Sequence, residues 1–274
     1  MSEAIKKRRW VKWVVGGCLA LIALLVLLIA AGRFYITTSS GADFIEKQLN
    51  SRSFGPIEGL EVSGLSGDPL SELKIEGLKV RDKEGVWATA ENISLQWQPL
   101  KFLSKHLYIE DLNIADIDIQ RKPVLNETAP SEPSDNPLTV TLDNFETPSL
   151  SLGEPVIGQS VSARLKAQYA LRENGSMKAL LDAVRTDIEG DSINLDFTRT
   201  PQGEMQGDFD LEGLPGGTIA TLLQAPENQT VTGTGTINGD VEAGQGDISL
   251  AFDNVDVLDL ETNWTPENLS ASVQ

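Results

Sequence analysis

The chain predicts a mainly β protein: half-buried antiparallel strands behind one N-terminal transmembrane helix, with few short helices elsewhere. Three observations carry this. Residues 14–32 form an unbroken apolar stretch without a charge. From Gly59 onward apolar residues recur at every second position, the spacing of a strand with one buried face. Helical spacing appears clearly only twice after the apolar stretch, at residues 39–50 and 214–224.

The apolar stretch VVGGCLALIALLVLLIAAG would reach roughly 28 Å as a helix, near the hydrocarbon thickness of a bilayer. Lys6, Lys7, Arg8, Arg9 and Lys12 precede it, Arg33 follows, and the next base is Lys47. That asymmetry places residues 1–13 in the cytoplasm and everything after residue 32 across the membrane. Trp10 and Trp13 on one side, and Phe34 and Tyr35 on the other, stand where interfacial aromatic anchors belong. A cleaved signal peptide is the alternative, but its apolar core runs to about 7–15 residues before a small-residue site. Here the core is longer and Arg33-Phe34-Tyr35 follows directly.

The net charge of −18 is unevenly distributed. Residues 1–33 hold six bases and one acid, leaving 16 bases against 39 acids beyond them, a net of −23. Such a field excludes nucleic acid as a partner of the ectodomain. The single cysteine, Cys18, lies in the apolar stretch, so the ectodomain can form no internal disulfide. That usage fits a bacterial envelope, with the ectodomain in the periplasm of a Gram-negative cell.

The elements follow in order. Ser39–Asn50 reads as a juxtamembrane helix (residues 36–50 in all) that Ser39 or Ser40 can cap, with Phe44, Ile45 and Leu49 on one side. Residues 57–122 read as a first β segment: Leu60 and Val62; Leu73, Ile75, Leu78 and Val80; Ile93, Leu95 and Trp97; then Leu107 to Ile119. Apolar parity in that last run reverses twice, predicting bulges at Glu110-Asp111 and Ala115-Asp116. Residues 123–137, with four prolines and three acids, read as a linker or long loop. Residues 138–274 continue the β text, with Met177–Thr186 a strand and Leu214–Gln224 a helix. The sequence stops within strand-like text, as a portion of a longer repetitive protein would.

Motifs for chemistry are lacking. His106, the one histidine, sits in turn-like Ser104-Lys105-His106 and reads as exposed, with no nucleophile elbow anywhere. The acid pairs Asp116/Asp118 and Asp208/Asp210 have the spacing of a strand's solvent face and no calcium-loop context. No nucleotide fingerprint occurs. We therefore expect no enzyme, cofactor or metal. One-sided strands with little helix to cover them must close into a barrel, pair as a sandwich, or keep an apolar groove; periodicity leaves all three open.

A resemblance chooses among them. The basic-flanked apolar stretch precedes Gly59-Leu60-Glu61-Val62-Ser63-Gly64 and Leu73-Lys74-Ile75-Glu76-Gly77-Leu78. Gly85-Val86-Trp87, Ile93-Ser94-Leu95-Gln96-Trp97, Leu107-Tyr108-Ile109-Glu110-Asp111-Leu112 and Arg121-Lys122-Pro123 follow. This order resembles the N-terminal portion of the TamB proteins, inner-membrane components of translocation and assembly modules within the AsmA-like, bridge-like lipid-transfer family. Leu214-Pro215-Gly216-Gly217-Thr218 and the Gly-Thr-Gly strand after it are similar too. The resemblance implies a β-taco groove that carries phospholipid toward the outer membrane, and support of outer-membrane protein and autotransporter assembly (protein secretion). It also implies a TamA-like barrel partner met through a C-terminal region this chain lacks. The groove candidates are Val62, Ile75, Ile93, Leu95, Ile109 and Ile114. The competing expectation is a membrane-anchored β-scaffold without lipid.

Overall fold

A computed structural model describes residues 33–50, 58–124, 138–226, 228–266 and 268–273. The apolar stretch 14–32 and the basic and aromatic residues before it lie outside these. Among the described residues no helix is long and apolar enough to cross a membrane.

Fourteen strands form one sheet: β1 (Gly59–Ser63), β2 (Ser66–Asp68), β3 (Glu72–Asp82), β4 (Gly85–Trp97), β5 (His106–Ile119), β6 (Thr139–Leu152) and β7 (Val161–Leu171). It continues through β8 (Met177–Arg185), β9 (Ser192–Arg199), β10 (Met205–Gly213), β11 (Val231–Gly239), β12 (Gly244–Phe252), β13 (Val255–Thr265) and β14 (Asn268–Val273). Spatial order follows chain order, save that β2 is a short flap on β3. β1 and β14 lie at opposite edges and do not pair, so the sheet is curled but unclosed. The helical pieces are α1 (Ser39–Asn50), α2 (Glu154–Ile157), α3 (Thr218–Leu222) and a 3-10 turn at Pro99–Ser104.

One pairing departs from the antiparallel expectation. β5 and β6 run parallel, from His106↔Thr139 to Ile119↔Leu152. A parallel neighbour cannot be reached by a tight turn, so the chain must return across the sheet between them. In the chain the Pro-rich acidic residues 123–137 connect the two strands. The molecule is thus two meanders, β1–β5 and β6–β14, joined side by side.

The parity reversals have two structural forms. At Glu110 the β4–β5 register slips by one residue, the bulge the alternation predicts, with Gln96 opposite Asp111 and Trp97 opposite Ile109. At Ala115-Asp116 the register does not slip; opposite it Asn92 takes a left-handed φ of 52°. Ile75, Ile93 and Ile114 stand on one side of this line, and Leu78, Ala90 and Ile117 on the other. Neighbouring strands turn over together, so apolar residues stay on one face. The packing of Leu73, Ile75 and Leu78 against one cluster shows this directly.

α1 matches its predicted bounds, though its cap is Thr38, whose Oγ1 accepts from the Gly41 N–H at 3.3 Å. Ala42, Ile45 and Leu49 pack onto Val62 and Leu65. Asn50 closes the contact as an added strand would: its Nδ2 donates to the Val62 carbonyl at 2.9 Å and its Oδ1 accepts from the Val62 N–H at 2.6 Å. This satisfies backbone that the edge strand β1 would otherwise present to solvent.

α3 is shorter than the pattern over 214–224 predicts. Gly216 has a φ of +68°, outside helical space. The helix starts only where Asp191 accepts from the Thr218 N–H at 2.7 Å, the same carboxylate also accepting from the Leu214 N–H at 2.8 Å. α3 seats Ile219 and Ala220 on Val231, Leu211 and Leu250, forming the second buried cluster.

Candidate functional site

Residues directly opposed in a sheet project from the same face. One register row can therefore be followed through eleven strands: Leu73, Leu95, Leu112, Phe145, Ala167, Leu181, Leu195, Phe209, Gly235, Ile248 and Leu260. No residue in it is polar. At a strand spacing of about 4.8 Å the row measures about 50 Å along the sheet.

A second row flanks it on one side, beginning with Ile75, Ile93 and Ile114 and resuming at Thr147, Leu165, Ala183, Ile193, Leu211, Gly233, Leu250 and Leu258. The third, on the other side, runs Trp97, Ile109, Leu142, Tyr169, Ala179, Phe197, Gly207 and Ile237. Together they form the floor of a trough whose long axis crosses the strands. The opposite face carries Asn194, Asp196, Asp208, Asp210, Thr234, Thr236 and Asp247, an acidic exterior.

The six groove candidates divide. Ile75, Ile93 and Ile114 are consecutive in the second row, Leu95 lies in the first and Ile109 in the third. Val62 lies elsewhere: it is 4% exposed beneath α1, which covers the β1–β3 end of the face and also packs on Ile75. Of the interface anchors, Phe34 and Tyr35 are exposed; the others lie outside the described residues.

α3 covers a second patch, the Leu211 and Leu250 part of the second row; between these covers the trough is open. Across β9–β13 a cavity of about 250 Å³ is lined by Leu195, Phe197, Phe209, Ile237, Ile248, Leu260 and Trp264. The lining is half-buried rather than buried, and Ile248 is 40% exposed. Glycines make this space. A Cβ on Gly235 would meet Phe209 Cε1 at 2.1 Å, and one on Gly244 would meet the Trp264 ring at the same distance. Each aromatic ring occupies the space above a glycine on the neighbouring strand, which keeps the floor apolar. Trp264 is held there by donating its Nε1–H to the Asp240 carbonyl at 2.7 Å. These lining residues escaped the candidate set, though a Gly-x-Gly run opposite Phe-x-Leu is the available signal.

The two long rims differ in chemistry. Where β3 turns into β4, Arg121 grips Asp82 with two hydrogen bonds of 2.6 and 2.7 Å. That guanidinium, then the Val124 and Glu84 N–H groups, hold the Asp82 carboxyl well below the usual carboxylate range against the opposing effect of burial. Further along the same rim, Arg185 donates to Asp187 at 2.9 Å, to Thr218 at 2.9 Å and to Asp191 at 3.3 Å. The Arg185 bond lowers Asp187 to about 2. These clasps tie strand ends together and stay off the trough.

His106 is not in an exposed turn. It opens β5 half-buried, with Nε2 3.1 Å from Thr141 Oγ1 and its ring edge-on to Tyr108. Asp208 and Asp210 are exposed on the outer face, and among the described residues no group of His, Cys, Asp or Glu could hold a metal.

With this geometry in view, one comparison is informative. A family model described as YdbH-like, intermembrane phospholipid transport protein YdbH, matches residues 19–272. No curated protein and no solved structure gives a significant match.

Proposed function

Because the chain belongs to the YdbH-like family of intermembrane phospholipid transport proteins, we propose that its trough carries phospholipid acyl chains between membranes, with residues 14–32 anchoring it in the inner membrane and the ectodomain in the periplasm. The observation that supports this most is the continuous row from Leu73 to Leu260, apolar throughout, which opens into a cavity across β9–β13. An acyl chain entering it gains about 0.8 kcal/mol per CH₂ removed from water. Successive strands offer near-equivalent apolar sites, so a chain can advance without crossing a polar barrier. The headgroup stays in water at the open side. No chemical step is needed, and the protein acts without catalysis.

The narrower expectation of a TamA-like partner and of outer-membrane protein assembly rests on the sequence resemblance alone, carried by the basic-flanked apolar stretch, residues 59–123 and the Leu214–Thr218 run. The family match favours lipid movement alone.

Native mass spectrometry of the full chain, extracted gently from membranes, tests the reading. Bound phospholipid is expected, and Leu95→Asp or Leu195→Asp should reduce it. A chain that carries no lipid, or carries it equally in both variants, would leave an anchored scaffold as the better account.

A further inference from the structure

The turn between β4 and β5 exposes three large apolar side chains, where among the described turns on its rim the β11–β12 turn exposes one, Val241. Pro99–Ser104 exposes Leu100 by 70%, Phe102 by 56% and Leu103 by 86%. Leu138 is 45% exposed beside them, since the next residue, Thr139, donates its N–H to the Lys105 carbonyl at 3.0 Å. Later turns on this rim read Arg172-Glu173-Asn174-Gly175 and Thr200-Pro201-Gln202-Gly203, polar and fit for water. An apolar tip at one turn and not at the next two argues against a general tolerance of apolar residues there.

The tip is also firmly built. The Lys105 N–H donates to the Phe102 carbonyl at 3.0 Å and Ser104 Oγ to the Lys101 carbonyl at 2.8 Å, closing the turn on itself. Below it Trp97 donates Nε1–H to the Pro69 carbonyl at 3.1 Å, linking the turn to the loop after β2. Asp68 of that loop pairs with Arg33, the first residue after the apolar stretch. The exposed apolar tip is therefore on the same rim as the chain's emergence from its anchor. Lys101 and Lys105 flank it in an ectodomain that is otherwise strongly acidic, and Lys101 Nζ sits 3.6 Å from the centroid of the Tyr108 ring, at the tip's base.

We propose that this turn is a second membrane contact: Leu100, Phe102 and Leu103 insert among acyl chains of the leaflet from which the anchor emerges, while Lys101 and Lys105 meet anionic headgroups. Apolar side chains below flanking lysines are the arrangement of an interfacial wedge. The inference rests on residues 14–32 being the anchor. Its consequence is orientation, because two contacts on one rim fix how the trough meets the bilayer where a single helix would leave it free to swing.

The test uses the full chain with Cys18→Ser, reconstituted into vesicles of phosphatidylethanolamine and phosphatidylglycerol, carrying an environment-sensitive fluorophore at Leu103→Cys. The expected result is blue-shifted emission quenched by lipids spin-labelled near the headgroup, and loss of that quenching when Leu100 and Phe102 are changed to Asn. The same label at Glu173→Cys should stay unquenched. No quenching at position 103, or a blue shift without quenching, which would mean burial against protein, overturns the wedge. Equal quenching at 173 overturns it as well. Lipid carried in the trough, read separately by mass spectrometry, keeps the two proposals apart: an empty trough with a quenched label sinks transport alone, and the converse sinks the wedge alone.

Discussion

The β1–β3 end and the β9–β13 stretch share one apolar face and treat it in opposite ways. At the first, aliphatic residues are large and covered: α1 sits on Val62 and Leu65, and Leu73, Ile75 and Leu78 pack around them. At the second, glycines lie beneath Phe209 and Trp264, and Ile248 and Leu260 line an open cavity. The difference teaches that an apolar sheet face is stabilised by whatever removes it from water. One end is completed by the protein's own helix; at the other α3 covers only the Leu211 and Leu250 side, and the cavity beside it is left for something else to complete.

Charges placed at the two ends give the largest expected contrast. Val62→Asp should cost at least about 3 kcal/mol, since a buried apolar contact is lost and a carboxylate is left without a partner. Ile248→Asp, at a half-open position, should change the thermal midpoint little and instead lower bound lipid. Equal destabilisation by both would mean that the second stretch is covered after all.

Filling the floor comes next. Gly235→Val forces Phe209 off its glycine, and overpacking of this kind costs about 1–3 kcal/mol. Bound lipid should fall with it. A smaller effect belongs to the clasp: Asn50→Ala removes two hydrogen bonds to Val62, worth about 1 kcal/mol each. Amide exchange in β1 should quicken while β9–β13 is unchanged.

The rim should affect the contrast least. Asp82 titrates below its unfolded value of 3.8, so its contribution is complete above that pH and is lost as pH falls toward the folded value. Acid titration should therefore unfold the native protein more steeply than Asp82→Asn, with lipid content at neutral pH the same in both.

Period-two alternation is a local signal, and the local features follow it closely. Ser39–Asn50 and the slip at Glu110 lie where residue spacing puts them; Met177–Arg185, whose own spacing suits helix and strand alike, is the strand that the turn and strand after it favour. Relations between distant segments are not encoded in alternation. Parallel pairing of β5 with β6 depends on which rim the chain returns to, and Val62's cover depends on a helix docking back. The short α3 reflects Asp191, which reaches it from a different loop. Lining residues such as Phe197, Phe209 and Trp264 read in sequence as ordinary strand members; only register shows that they stand over glycines.

The sheet order has a further consequence. Each strand after β3 pairs only with its neighbours in the chain, and α3 alone among the described helices after β3 is seated across several strands, β10 to β12. Inserting one more hairpin would lengthen the trough by two strand spacings, about 10 Å, while replacing only the pairing at the point of insertion. Length is then a heritable trait that can vary by duplication in small, harmless steps, and a lineage whose membranes stand farther apart has an easy route to match them.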